Sequence, residues 1–464
     1  MKDFLKQISI YGILPVAGKF AGFFLIPVYT RLFSSAEFGM LELLMTLIKF
    51  LLFACNLEFY NAIGRYFYEK ENLDWRKNLI STGLFLTVIT SIIIATGSFL
   101  FKDEFYKFYL NSFDFQLEFK LCLVWLFMEA IFTYLSVIPR FEKKPKTYVA
   151  ISVSALFIRI TSTILYVLVM DLGIAGVIYG HITGAIISLL LYSFASRKYL
   201  SFHFSYEIAK KITKFAVPIV PGLLLIGFWG PLSRNLIAKY YSLEFLGLFA
   251  FAIRIASVME ILNGAIRMAW NPLIFENFNK PNFKKDTQNI SRLMGILAIG
   301  GASGITLLAP EISTYIGTEE YEKSALLIGF LCLTGIIEIL KRLRGFGPLI
   351  SNKTGLLTLA EAVGMILGIA MLIQFQNLGL LGIGIAFLVS ALVKYFILTN
   401  YTVKKMNIAF NHWNDVLLFS FSLISLGSVY FEVLLVFRSI LFLITIGTCI
   451  YMLREVYGKK TRTI

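Results

Sequence analysis

Residues 171–180 read DLGIAGVIYG, and residues 377–386 read NLGLLGIGIA, 206 positions later. Each sits between two apolar runs. The run before the first, YVAISVSALFIRITSTILYVLVM at 148–170, is long enough to cross a bilayer as a helix, and so is the run after it, 173–195. The ten residues therefore read as a tight turn between two spans, written twice. Three further matches keep the same order. KTYVAISVSA from Lys146 parallels KTGLLTLAEA from Lys353, Gly39 of SSAEFGMLEL parallels Gly247 of SLEFLGLFAF, and YGILP ending at Pro15 parallels KFAVP ending at Pro218. One such match among apolar sequences is chance, but four within five residues of one offset imply an internal repeat. The repeat divides the chain into six-span bundles over 1–205 and 206–405, with an added helix pair and tail over 406–464. Six is an even number, so both halves start on the same side of the membrane. A solute site is then expected between them, near the midplane.

Composition agrees with a membrane protein. Of 464 residues, 58% are hydrophobic and 15% charged, against about 25% charge in soluble domains. Fourteen apolar runs of spanning length or near it can be marked, at about 8–30, 39–59, 79–100, 119–138, 148–170, 173–195, 212–233, 245–265, 293–309, 324–340, 355–375, 380–399, 416–431 and 439–453. The expected fold class is an all-α polytopic membrane protein of about fourteen transmembrane helices. Most of the 43 Lys and Arg fall on alternate loops, which the positive-inside rule makes cytoplasmic, while stretches such as GTEEYEK and FKDEFYK on the opposite side are acidic. Both termini are then cytoplasmic. The net charge of +15 is accounted for as a topology signal, which removes nucleic acid as a partner and leaves membrane lipids as one. The four cysteines stand singly in different runs and the three histidines are scattered, so neither a disulfide nor a metal site is expected.

Five cations fall within spans: Lys19, Lys49, Arg159, Arg254 and Lys394. Lys394 lies near the cytoplasmic end and reads as structural; Glu338 and Glu361, also near that end, read as partners of loop cations. The other four lie near mid-span, where an ionisable group is costly and usually marks a transport path. Glu42, Lys49 and Asn56 recur every seven residues on one helix, and Ser152, Ala155, Arg159 and Ser162 form a polar or small stripe on another. Lys19, Lys49, Arg159 and Arg254 are thus expected to line a wet cationic cavity for an anionic solute, with arginine suited to phosphate through its planar fork of donors.

The opening residues GKFAGFFLIPVYTRLFSSAEFGMLELLMTL, in particular the run into Pro27, YTRLFSS at 29–35 and Phe38-Gly39, together with the DLGIAGVIYG turn, resemble bacterial Wzx-type polysaccharide flippases. These belong to the multidrug/oligosaccharidyl-lipid/polysaccharide (MOP) exporter superfamily. The resemblance implies the MATE-like fold of that superfamily and a location in the bacterial cytoplasmic (inner) membrane. It implies as substrate a polyprenyl-pyrophosphate-linked oligosaccharide, flipped by alternating access for assembly of O-antigen lipopolysaccharide, capsule or exopolysaccharide. A polysaccharide polymerase and other assembly proteins would then be partners.

Two transporter readings compete. A lipid-linked peptidoglycan precursor flippase shares the span count and the cationic cavity. A MATE-type drug or cation antiporter favours carboxylates inside the first bundle, where this chain has Lys19 and Arg159. An enzyme is not expected, because no loop is long enough to form a catalytic domain, and there is no P-loop and no cofactor motif. Coupling to H⁺ or Na⁺ would need a carboxylate; Glu42 is the first candidate, with Glu58 and Glu260 behind it. Each of the three equally fits a role in balancing a neighbouring cation.

Overall fold

The structure, a computed structural model, describes residues 22–461 apart from 24, 279, 409, 411 and 432. Among the described residues there is no strand, and eleven helices are long and apolar enough to cross a membrane. Chain contacts divide it into two compact units, Met1–Lys239 and Tyr240–Ile464. The sequence repeat divides at 205/206, whereas this contact boundary lies after two further helices.

In the first unit the helices are α1 (Ser35–Asn56), α2 (Phe59–Tyr66), α3 (Leu73–Leu100), α4 (Gln116–Leu135), α5 (Pro145–Ile164), α6 (Gly173–Ser196), α7 (Tyr206–Ala216) and α8 (Val220–Tyr240). The start of α1 is written locally: Ser34 accepts from the Glu37 backbone N–H, and the Glu37 carboxylate accepts from the Ser34 backbone N–H at 2.9 Å. Its end is set by Leu57 and Glu58, two consecutive non-glycine residues in the left-handed region (φ 40° and 59°). This conformation costs about 1–2 kcal/mol per residue. Glu58 is buried and accepts from Tyr60 Oη at 3.1 Å and from the Asn61 amide.

Glycines govern the closest packing. On α6, Gly176, Gly180 and Gly184 stand four residues apart and face Tyr166, Thr163 and Arg159 of the α5 segment. Small residues at this spacing let two helix backbones approach in the absence of a hydrophobic drive between them. The stripe Ser152, Ala155, Arg159, expected to face a wet cavity, is therefore turned largely toward α6: Ser152 bonds Tyr192 Oη and Ala155 is buried.

Helix α7 corrects the expected seventh span. It is a separate amphipathic helix that buries Ile208, Ala209, Ile212 and Ala216 while Lys210, Lys211 and Lys214 are exposed. Val217-Pro218-Ile219 forms a 3₁₀ turn after it, and α8 extends to Tyr240. Arg234, just beyond the expected seventh span of 212–233, is thus inside a helix. The apolar face of α7 joins a core of Phe59, Ile63, Phe67, Ile80, Tyr134 and Tyr199.

Between α4 and α5, half-buried Glu142 accepts from Tyr199 Oη at 2.9 Å and pairs with Lys144 at 3.2 Å and with Lys198. Burial works against its charge, but the hydrogen bonds from Lys198, Tyr199 and Lys144 hold the carboxyl below its ordinary value of 4.5. A lowered folded value means a stabilising contribution that is complete above the ordinary value and lost as pH falls through the lowered one. Glu142→Gln is therefore expected to reduce stability by up to about 1 kcal/mol at pH 7. The gap between variant and parent should close below pH 4.5, as read by thermal unfolding in detergent at both pH values.

The second unit contains α9 (Leu243–Asn277), α10 (Phe283–Leu307), α11 (Ala309–Ile316), α12 (Ser324–Arg344), α13 (Gly355–Gln374), α14 (Leu380–Met406), α15 (His412–Tyr430) and α16 (Leu435–Thr461). Helix α12 packs on α9, α10 and α14, and the final pair α15 and α16 packs on α10. The matched turns of the two halves share backbone detail. Gly173 and Gly379 take φ of 54° and 56°, and Lys143 and Asn352, before the matched KT segments, take 56° and 54°. A closed square of charges joins α12, α13 and α14. Lys341 contacts Glu338 at 2.6 Å and Glu361 at 2.9 Å, and Lys394 contacts Glu338 at 3.0 Å and Glu361 at 3.4 Å. Lys394 is structural as expected, and its partners come from within the bundle. Arg438 of α16 makes a bidentate pair with Glu311 of α11 (3.1 and 2.7 Å) and donates to the carbonyls of Leu307 and Val433.

Candidate functional site

Helix α4 presents Trp125 and Glu129 one turn apart, so both side chains lie on one face. The Trp125 indole N–H donates to Glu129 Oε2 at 2.7 Å, and Arg159 of α5 donates to the same oxygen from its NH2 at 3.1 Å. Arg159 reaches this point because Gly184 of α6 leaves its stem room: a Cβ at 184 would lie 2.8 Å from Arg159 Cβ and 2.9 Å from its Nε. One turn before Gly184, His181 packs against Trp125, with ring centroids 4.4 Å apart and the planes tilted by 42°. Lys49 of α1 and Arg159 both lie within electrostatic reach of His181. The first unit thus gathers Lys49, Arg159, His181, Trp125 and Glu129 at mid-span.

Two buried polar atoms of this group, Arg159 Nε and His181 Nδ1, have no hydrogen-bond partner among the described residues. The side chains of Arg159 and Glu129 retain 22% and 14% of their accessibility, and Lys49 is exposed. Lys49 and Arg159 bring two cations to this group and Glu129 one carboxylate, a local excess of positive charge among the described residues. Such a group offers charged and neutral donors in a poorly solvated setting, which suits an oxyanion.

The other expected site residues are placed differently. Lys19 lies outside the described residues. Arg254 is half-buried in α9 of the second unit, and Glu260, one and a half turns further along α9, is exposed. Glu42, Lys49 and Asn56 recur along one face of α1 but differ in burial: Glu42 and Asn56 are buried, whereas Lys49 is exposed. Glu42 pairs with Arg234 of α8 at 3.4 Å and accepts from Thr46 Oγ1 at 3.3 Å. Glu58 serves the break between α1 and α2.

Trp125, Glu129 and His181 are the members that sequence reasoning passed over, and the last two carried a signal. Both are ionisable residues inside spans, the same signal that singled out Arg159. The GxxxGxxxG spacing of α6 would further have placed Arg159 against a helix.

A family model described as "Polysaccharide biosynthesis protein" matches residues 28–326, more than half of the chain. The chain belongs to the polysaccharide biosynthesis protein family. In Haemophilus influenzae it is similar to an "Uncharacterized membrane protein", 26% identical over 326 residues that cover 66% of this chain and 74% of the relative. It is also similar there to "Lsg locus putative protein 1", 24% identical over 340 residues covering 69% and 80%. Among solved structures, the lipid II flippase MurJ in an inward closed conformation superposes with a TM-score of 0.70 at 16% identity, covering 97% of this chain and 99% of that one. An inward-facing multidrug resistance MATE transporter of the MOP superfamily superposes with a TM-score of 0.62 at 14% identity, covering 84% and 94%. The fold of this family member is therefore the one shared by MurJ and the MATE transporter, as expected.

Proposed function

We propose that this protein flips a polyprenyl-pyrophosphate-linked oligosaccharide from the inner to the outer leaflet of the bacterial cytoplasmic membrane. Alternating exposure of its mid-span cations to each side drives the transfer. The product serves assembly of a surface polysaccharide such as O-antigen, capsule or exopolysaccharide, and is handed to a polymerase and other assembly proteins. The observation that carries this reading is the pair of cations Lys49 and Arg159 beside His181, where Glu129 is the carboxylate that meets Arg159 among the described residues. A pyrophosphate needs such a site to leave the headgroup layer, and the family description supplies the polysaccharide context.

A lipid-linked peptidoglycan precursor as cargo is the second reading, favoured by the MurJ-like fold over nearly the whole chain. Both substrates share a pyrophosphate and differ in sugar. A drug antiporter is less well supported, because the group described carries cations where a cationic drug wants carboxylates. Coupling to H⁺ or Na⁺ belongs to the same proposal, with Glu42 first because its carboxylate lies deep in the first unit beside Arg234.

The test reconstitutes the full chain in proteoliposomes with a fluorescent polyprenyl-pyrophosphate oligosaccharide, lipid II and a cationic dye in parallel. The expected result is outward transfer of the oligosaccharide lipid, at a rate at least about tenfold above protein-free vesicles. Preference for lipid II would establish the second reading, and dye transport alone would overturn both.

A further inference from the structure

Two arginines of this chain are partnered very differently. Arg438 uses both terminal nitrogens on Glu311 and two further donors on two carbonyls. Arg159 makes one contact, from one nitrogen to one oxygen of Glu129, while its buried Nε meets no acceptor among the described residues. A guanidinium has five donors in a plane and binds a two-oxygen acceptor best by its edge. The pairing of Arg159 thus leaves most of its binding capacity unused.

The carboxylate, by contrast, is held independently of Arg159. The Trp125 indole donates to Glu129 Oε2 at 2.7 Å, shorter than the Arg159 contact of 3.1 Å, and Trp125 is itself packed against the His181 ring. Withdrawal of Arg159 therefore leaves Glu129 oriented in place. An anion arriving at Arg159 must outbid this carboxylate and then remain beside it.

We propose that Glu129 is a specificity-determining counter-ion of the site. It occupies Arg159 when no substrate is bound, and yields the guanidinium only to a head group carrying at least two phosphates. A monophosphate gains one cation and faces a neighbouring carboxylate. A diphosphate engages Arg159 by its edge and reaches toward Lys49 and His181 as well, so that its gain exceeds the repulsion. Glu129 thus acts as a repulsive element against the wrong ligand. Trp125 is the positioning residue that keeps it there. This inference rests on the proposal that the cations receive a lipid diphosphate.

The test measures binding of geranylgeranyl diphosphate and geranylgeranyl monophosphate to the purified full chain in detergent, at fixed ionic strength. The parent chain is expected to prefer the diphosphate by about tenfold or more. Glu129→Gln should tighten monophosphate binding by about tenfold and bring the ratio within about threefold. Trp125→Phe, which removes the indole donor and leaves the carboxylate, should lower the ratio in the same direction by at least about threefold. If Glu129→Gln does not purify as a folded protein, the Trp125→Phe ratio decides alone, and an unchanged ratio overturns the inference. An unchanged ratio in Glu129→Gln, or equal weakening of both ligands, overturns the role of Glu129 while leaving the diphosphate reading intact. A parent chain that binds neither lipid overturns that reading and this inference together.

Discussion

Arg159→Ala is expected to reduce flipping of the oligosaccharide lipid by at least about 100-fold, and to do so by two separable routes. The first is loss of the cation that meets the diphosphate. The second is the carboxylate of Glu129, which is left in a poorly solvated place with the Trp125 indole as its one partner among the described residues. Stranding a charged group in this way costs about 1–3 kcal/mol of stability. The double variant Arg159→Ala/Glu129→Gln removes the stranded charge and should recover the thermal stability of the parent while still failing to flip. Arg159→Lys should keep part of the activity, since an ammonium supplies the charge without the planar fork. Flipping assays and detergent melting curves on the four proteins check this. Recovery of flipping by the double variant would show that Arg159 matters only as the partner of Glu129.

Gly180→Ala is expected to have the largest effect on stability. A Cβ at this position would lie 2.0 Å from Thr163 Oγ1 and 2.8 Å from both Thr163 Cα and Cβ, so α5 and α6 must separate. Overpacking of this kind typically costs about 1–3 kcal/mol, and backbone contact puts this case at the upper end. The separation also moves Arg159, which lies one turn from Thr163 on the same helix, away from its seat over Gly184. The variant should therefore melt several degrees lower than the parent and lose flipping together. Adding Thr163→Ala removes the hydroxyl but neither the Cα nor the Cβ, so recovery is expected to be partial. A melting temperature equal to that of the parent would show that the two helices have slack in their spacing.

The outline of the fold was legible in the sequence at the level of single helices. A run of about twenty apolar residues must bond its own backbone within a bilayer, so each such run specifies a helix before anything else is known. The expected spans at 39–59, 79–100, 119–138, 148–170 and 173–195 accordingly correspond to α1, α3, α4, α5 and α6. The repeated turns were legible for a related reason, because Gly173 and Gly379 hold a left-handed backbone that favours glycine at both positions. The seventh span was misplaced, since its mixed pattern at 206–219 contains an amphipathic helix that periodicity over a long apolar window blurs.

The candidate site was legible only in part. The sequence by itself determined that cations stand inside spans and that something must offset their burial. The tertiary structure alone decided what does so. Arg159 is met by a carboxylate 30 positions earlier, Glu42 by a guanidinium 192 positions later, and Lys394 by two carboxylates on two other helices. A helix specifies its own hydrogen bonds through neighbours four residues apart. The partner of a buried charge is chosen by which faces of separate helices meet, and that choice depends on close packing along stripes such as Gly176, Gly180 and Gly184.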